Sequence, residues 1–135
     1  MNKKLFIAIV SILFTANAFA QQQKIVWDLS AKDTADQSSV LRQINNVLTA
    51  AADTKIEVVF HGEAITTLAK DQTFFAAKIA DYTAKGVIFA ACNNSMKRKG
   101  IKAEELLPGV VVVPVSILEM AKKQQEGWSY IKAGH

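Results

Sequence analysis

The chain has 135 residues with 16 basic, 12 acidic and two histidine side chains and a single cysteine. That length bounds it to one core of ordinary domain size, and one thiol excludes an internal disulfide. The formal charge of +4 shrinks when the first twenty residues are set aside, because Lys3 and Lys4 leave with them; 14 basic against 12 acidic residues, not interleaved with aromatics, argue against a nucleic-acid binder.

Residues 1–20 read as a secretory signal peptide rather than as fold. Lys3 and Lys4 give a positive start, Leu5 to Phe14 is apolar apart from Ser11, and Ala18-Phe19-Ala20 supplies the small-x-small cleavage pattern. A membrane span would need about 20 mostly apolar residues, and Asn17 and the glutamines at 21–23 cut this run short. There is no twin-arginine pair, and no cysteine follows the cleavage site to carry a lipid. The expected mature chain is therefore residues 21–135, a single domain, soluble and periplasmic or otherwise exported, with no membrane attachment after cleavage.

Lys24–Leu29 (KIVWDL) predicts a first strand. Val40, Leu41, Ile44, Val47, Leu48 and Ala51 then recur at helical spacing, with Thr34-x-x-Gln37 as a capping box ahead of them. Residues 55–61 (KIEVVFH) predict a second strand. Phe75, Ile79 and Tyr82 mark a second helix with Asp71 as N-cap and Gly86 past its end. Residues 86–91 (GVIFAA) predict a third strand, leading to Cys92 and a short helix capped by Asn93 or Asn94 that reaches toward Lys99. The four valines at 110–113 predict a fourth strand. Ser116 caps a helix through Leu118, Ala121 and Lys122 that stops at Gly127, and residues 128–131 (WSYI) predict a fifth strand. Short apolar runs without clear alternation suit strands buried on both faces. Strands alternating with helices predict a three-layer α/β/α sandwich around a mostly parallel five-stranded sheet.

In such sheets ligands bind outside the carboxyl ends of the strands. Those ends supply Asp28 running into Ser30, His61-Gly62-Glu63, Cys92-Asn93-Asn94-Ser95, and Pro114-Val115-Ser116. In a parallel sheet they share one edge, which would make the only thiol and the only internal histidine neighbours. A cysteine between a strand and a helix sits among unpaired backbone N–H groups that favour thiolate, and Lys97, Arg98, Lys99 and Lys102 follow. Cys92 and His61 are accordingly the catalytic candidates, with His61 accepting a proton or stabilising an anion. Asp28, Gly62, Asn93, Asn94, Ser95, Arg98 and Ser116 are candidate ligand-binding residues. Each has a plain structural reading beside it. Cys92 can be a small packed apolar residue, His61 a strand-end residue bonded to backbone, and the basic run a solvated helix end. One cysteine and two histidines, His61 and His135, show no metal-ligand spacing. No phosphate loop, dinucleotide fingerprint or serine elbow is present, and no cofactor is expected.

The blocks "IEVVFHG", "GVIFAACNNSMK", "LLPGVVVVP" and "QQEGWSYIK" resemble successive parts of the DsrE/DsrF-like superfamily, the YchN-like fold, over nearly all of residues 21–135. The superfamily's better-known members are sulfur-relay proteins in which a cysteine after the third strand carries sulfur as a persulfide. The resemblance places that cysteine at Cys92, and the arginine and glycine that trail it in some members at Arg98 and Gly100. It implies a homo-oligomer, trimer or hexamer, and protein partners that donate or accept sulfur. Ser116 departs from the pattern, standing where that branch carries glycine after the proline of strand four. Two functions are therefore expected: an exported sulfur-handling protein with Cys92 as persulfide carrier, or a non-catalytic oligomeric module that binds a small ligand or partner and packs Cys92 structurally. A third, an intermolecular disulfide through Cys92, stands behind them.

Overall fold

Strand and helix segments follow the hydrophobic pattern closely in the computed structural model, which describes residues 21–134. The strands are β1 Lys24–Leu29, β2 Lys55–Phe60, β3 Ile88–Cys92, β4 Val111–Val113 and β5 Ser129–Ala133. The helices are α1 Thr34–Ala50, α2 Ala76–Ala84, α3 Asn93–Lys99 and α4 Ser116–Gln125, with 3-10 turns at Gly62–Leu68 and Ala103–Glu105. The expected signal peptide lies outside the described residues. Among the described residues no helix is long and apolar enough to cross a membrane.

The five strands form one sheet in the order β4-β3-β2-β1-β5, and every neighbouring pair is parallel. From β1 to β4 the chain winds steadily in one direction; it then returns across the whole sheet to place β5 beside β1. Parallel crossovers are right-handed, so this reversal puts α4, which makes the return, on the face opposite the other helices. The α/β/α layering is thus unequal, with α4 the only α-helix on its face among the described residues.

Side chains alternate along each strand and build two cores. On one face Trp27, Leu29, Ile56, Val58, Phe60, Phe89 and Ala91 pack beneath Val40, Leu41 and Ile44 of α1, Ile65 and Leu68 of the first 3-10 turn, Ile79 and Tyr82 of α2 and Met96 of α3. The Phe60 and Phe89 rings meet at 6.1 Å in a tilted pair, a favoured aromatic geometry. On the other face the core is small: Val26, Val59, Ala90, Val113 and Met120, with Trp128 against it.

The element ends differ from the sequence reading, and each difference has a local cause. The cap of α1 is Asp33, not Thr34, because the Asp33 carboxylate accepts the Ala35 N–H at 2.8 Å. Gln37 instead turns its buried amide to the carbonyls of Ala31 and Lys32. α2 begins at Ala76 with Phe75 as its N-cap rather than Asp71, since the Thr73 hydroxyl takes the Phe75 N–H and holds an extra turn before the helix. β2 ends at Phe60, so His61 stands just beyond it. β3 starts later and runs through Cys92, which itself occupies the N-cap of α3 in place of Asn93 or Asn94. Ser116 is the first residue of α4 and Val115 its N-cap. The 3-10 turn after His61 was not legible in the periodicity. It opens at Gly62, whose φ of +57° is the left-handed conformation that glycine adopts without penalty.

Candidate functional site

The carboxyl ends of all five strands lie at one edge of the sheet, and the register decides which residues meet there. Phe60 pairs with Ala91, so the next residues, His61 and Cys92, leave adjacent strands side by side. Val59, Ala90 and Val113 face α4, and alternation gives His61 and Cys92 that same face. They border a cavity of about 550 Å³ together with Asn94, Ser95, Lys97, Arg98, Val115, Ser116 and Ile117. The N-terminal ends of α3 and α4 converge here, one from each side of the thiol.

Cys92 is buried at 3 % exposure, and it borders this cavity. Burial pushes its thiol up, but the backbone N–H groups of Ser95 and Ser116 and the hydroxyls of both serines outweigh that and hold it down to about 7. Cys92 makes no capping hydrogen bond through its side chain, so these four donors act on the sulfur as oriented dipoles that favour the thiolate. The Ser95 hydroxyl is aimed by its own partners. It accepts the Gly62 N–H at 2.9 Å and Arg98 Nη2 at 3.3 Å, which occupies both lone pairs and leaves its proton for the sulfur.

His61 is fixed from behind. Its Nε2 lies 2.6 Å from Asp28 Oδ1, and Asp28 Oδ2 accepts the Tyr130 hydroxyl at 2.6 Å with Lys132 Nζ at 3.5 Å. Burial pushes the Asp28 carboxyl up, but Tyr130, His61 and Lys132 more than compensate and leave it below its ordinary value. The hydrogen bond to Asp28 raises Tyr130 to about 12, so its hydroxyl keeps its proton near neutrality. An ionised carboxylate only accepts. Nε2 therefore carries the proton shared with Asp28, which leaves Nδ1 as the other ring nitrogen.

The structure brings Cys92, His61, Asn94, Ser95, Arg98 and Ser116 to one cavity. Asn93 is not among the residues that line it. Asp28 serves His61 from behind and does not reach the cavity wall. Gly62 contributes an N–H to Ser95 and borders a second hollow of about 390 Å³ with Ser30, Glu63, Arg98 and Lys99. There Glu63 is held by Lys99 at 2.6 Å. Tyr130, Lys132 and Ile117 were not singled out from sequence, and Lys97 and Val115 were named there only as part of the basic run and of the fourth strand end. Tyr130 and Lys132 join because β5 pairs with β1, setting Lys132 opposite Asp28, and nothing local in WSYI signals that neighbour. Among the described residues no group of three or more His, Cys, Asp or Glu side chains is placed to hold a metal ion.

The arrangement offers a partly ionised thiol, a cationic wall from Lys97 and Arg98, and an oriented imidazole. Comparison with known proteins agrees with this placement of the fold. The chain is similar to a protein of unknown function, MTH1491 from Methanobacterium thermoautotrophicum, with 26% identity and a TM-score of 0.79 over 82% of this chain and 99% of that one. It also resembles in fold a conserved protein of unknown function, BT1422 from Bacteroides thetaiotaomicron, at 14% identity and TM-score 0.70 over 86% of this chain and 99% of that one. The ychN protein from E. coli matches at 14% identity and TM-score 0.69, over 83% of this chain and 99% of that one. No match was found among curated protein sequences. The DsrE/DsrF-like family model covers residues 22–133, nearly the whole described domain with its five parallel strands and strand-end cysteine, and the chain belongs to the DsrE/DsrF-like family.

Proposed function

We propose that this protein is an exported sulfur carrier in which Cys92 takes up a sulfane sulfur as a persulfide and passes it on. The observation that carries the reading is the sulfur of Cys92 at the wall of a 550 Å³ cavity, faced by four donors that bring its thiol down to about 7. A thiol with that value is about half ionised at pH 7, and its nucleophilicity is well matched to exchange at sulfur. The Cys92 thiolate attacks the outer sulfur of a donor persulfide, the donor's S–S bond breaks, and the donor leaves as a thiolate that takes a proton. Cys92 then holds the sulfur as a persulfide anion. An acceptor thiolate attacks that outer sulfur and releases the Cys92 thiolate, so no external oxidant or reductant is needed. His61 serves as the proton donor or acceptor beside the sulfur, and Lys97 and Arg98 balance the negative charge that accumulates.

Residues 1–20 support export, and the expected partners are a sulfur donor and a sulfur acceptor in the same compartment, with further copies of this chain. Intact-mass measurement after incubation with a persulfide donor tests the carrier. The wild-type protein gains the mass of one sulfur atom and Cys92→Ser gains none. A wild-type protein that gains none, and whose thiol resists alkylation until denatured, removes the carrier reading. Cell fractionation tests export: the protein is expected outside the cytoplasm with its chain starting at Gln21.

The burial of Cys92 favours a second reading, a non-catalytic oligomeric module that binds a small ligand or partner in the same cavity. There Cys92→Ala leaves binding intact and lowers stability alone.

A further inference from the structure

The face of the sheet that carries the thiol holds a second polar feature at its other end. Glu57 of β2 is 2 % exposed, in a strand that otherwise reads as apolar. Lys123 of α4 reaches it, with Nζ 2.8 Å from Oε2, while the other oxygen, Oε1, is buried without a hydrogen-bond partner among the described residues. Glu119 approaches the same ammonium at 3.7 Å, and the ring of Trp128 lies 4.6 Å below it. Glu126 adds negative potential from the helix end. Burial, with Glu119 beside it, pushes Glu57 up despite Lys123, so the ionised carboxylate is held at a desolvation cost that its partner only partly offsets.

Its placement on α4 gives it a purpose. Ser116, Met120 and Lys123 lie at i, i+4 and i+7, one stripe down a ten-residue helix. Ser116 and Met120 are the buried positions of α4, whereas Ile117 and Leu118 are exposed. The stripe therefore carries a thiol-facing serine at one end, one apolar anchor in the middle, and the ion pair at the other end, about 10 Å along the axis. On the sheet side it meets Cys92, then Val59 and Ala90, then Glu57. A single methionine over small residues allows α4 to rotate or slide. A directional contact at the far end does not.

We propose that the buried Lys123–Glu57 pair is a positioning device for the Cys92 site, fixing the rotation and axial register of α4 so that the Ser116 N–H and hydroxyl face the sulfur. Registry is the best-attested use of a buried polar contact. The proposal rests on the reading of Cys92 as an ionised thiol, and the wild-type measurement separates the two.

The test is the alkylation rate of Cys92 against pH, with far-UV circular dichroism and thermal unfolding on each variant. The double variant Glu57→Met with Lys123→Met removes both charges at similar volume, and the protein is expected to stay folded. Its thiol titrates about one pH unit higher than wild type, which is about tenfold less thiolate at pH 6. Lys123→Arg keeps the wild-type profile. Glu57→Gln, a neutral isostere, supplies a second folded variant and shifts the profile in the same direction as the double variant. A folded double variant or Glu57→Gln variant that titrates with wild type overturns the positioning role, whatever its melting temperature. A wild-type thiol that shows no titration near pH 7 overturns the ionised-thiol reading and this proposal with it.

Discussion

At Ser95 one hydroxyl completes the set of four donors that hold the thiol down, behind the two backbone N–H groups and the Ser116 hydroxyl. Its two acceptor sites are filled by Gly62 and Arg98, so the hydroxyl cannot turn away from the sulfur without breaking a bond. Ser95→Ala removes that donor and leaves the Gly62 N–H without its partner. The Cys92 thiol, now at about 7, is expected to move up a little toward the ordinary thiol value, by less than removal of the Ser116 hydroxyl would move it, since a hydrogen bond to the charged form is one of the three sources of such shifts. The alkylation-rate profile reads this directly. An unchanged midpoint in Ser95→Ala means that the other three donors set the ionisation. The sign carries over to stability. Because the folded thiol ionises below the unfolded one, its ionisation adds stability present above the unfolded value, near pH 9, and lost as pH falls through about 7. Wild type therefore gains stability between those limits relative to Cys92→Ser. Cys92, Ser95 and Ser116 were all legible in the sequence, because a lone thiol at a strand end draws attention to the residues of the next turn and the next strand end. Asp28 was legible as a strand-end carboxylate but not as the residue that fixes His61. That role depends on the chain ends meeting, with Tyr130 and Asp28 more than 100 residues apart.

Helix and strand bodies follow from apolar spacing, while their ends follow from single hydrogen bonds that spacing does not reveal. In α1 the buried stripe of Val40, Leu41 and Ile44 was evident from periodicity. Its start was not, since Asp33 and Thr34 are both competent caps and only the backbone decides which one reaches the exposed N–H groups. Asp33 does so at 2.8 Å. Asp33→Ala is expected to cost about 1 kcal/mol, and Thr34→Ala a few tenths at most, an order opposite to that of the capping box read from sequence. Urea unfolding of the two variants compares them, and equal midpoints would reject Asp33 as the cap. The same limit explains α3. Asparagine is a better cap than cysteine by composition, but β3 runs one residue further than its apolar run suggests and puts Cys92 at the boundary. That one-residue shift is what brings the sulfur among the helix-start donors, so the position of the strand end and the chemistry of the thiol have a common origin.

Among the described residues, exposed apolar side chains gather along the β4 edge of the molecule, apart from Phe74 and from Tyr130 and Ile131 on β5. The strand order gives β4 an open sheet edge and, among the described residues, leaves α4 as the only α-helix on its face, and here Val111, Val112, Ile117 and Leu118 are exposed, the last two at 69% and 66%. The strand order behind this is invisible in the sequence, where β4 is only a run of valines suited to a buried strand. An open edge with flanking apolar side chains invites pairing with another chain, and further copies of this protein are the expected occupants, in a trimer or hexamer. Ile117 also lines the Cys92 cavity, so assembly at this edge would narrow the approach to the thiol and make the neighbouring copy part of its wall. Light scattering on the purified protein is expected to give a mass several times that of one chain. The paired substitution Ile117→Lys with Leu118→Lys should return it to a single chain, because two ammonium groups buried in an apolar contact are costly to desolvate. Alkylation of Cys92 should then quicken as the mouth of the cavity opens. A wild-type protein that scatters as one chain at micromolar concentration would place these side chains against some other partner and remove the copy from the wall of the site.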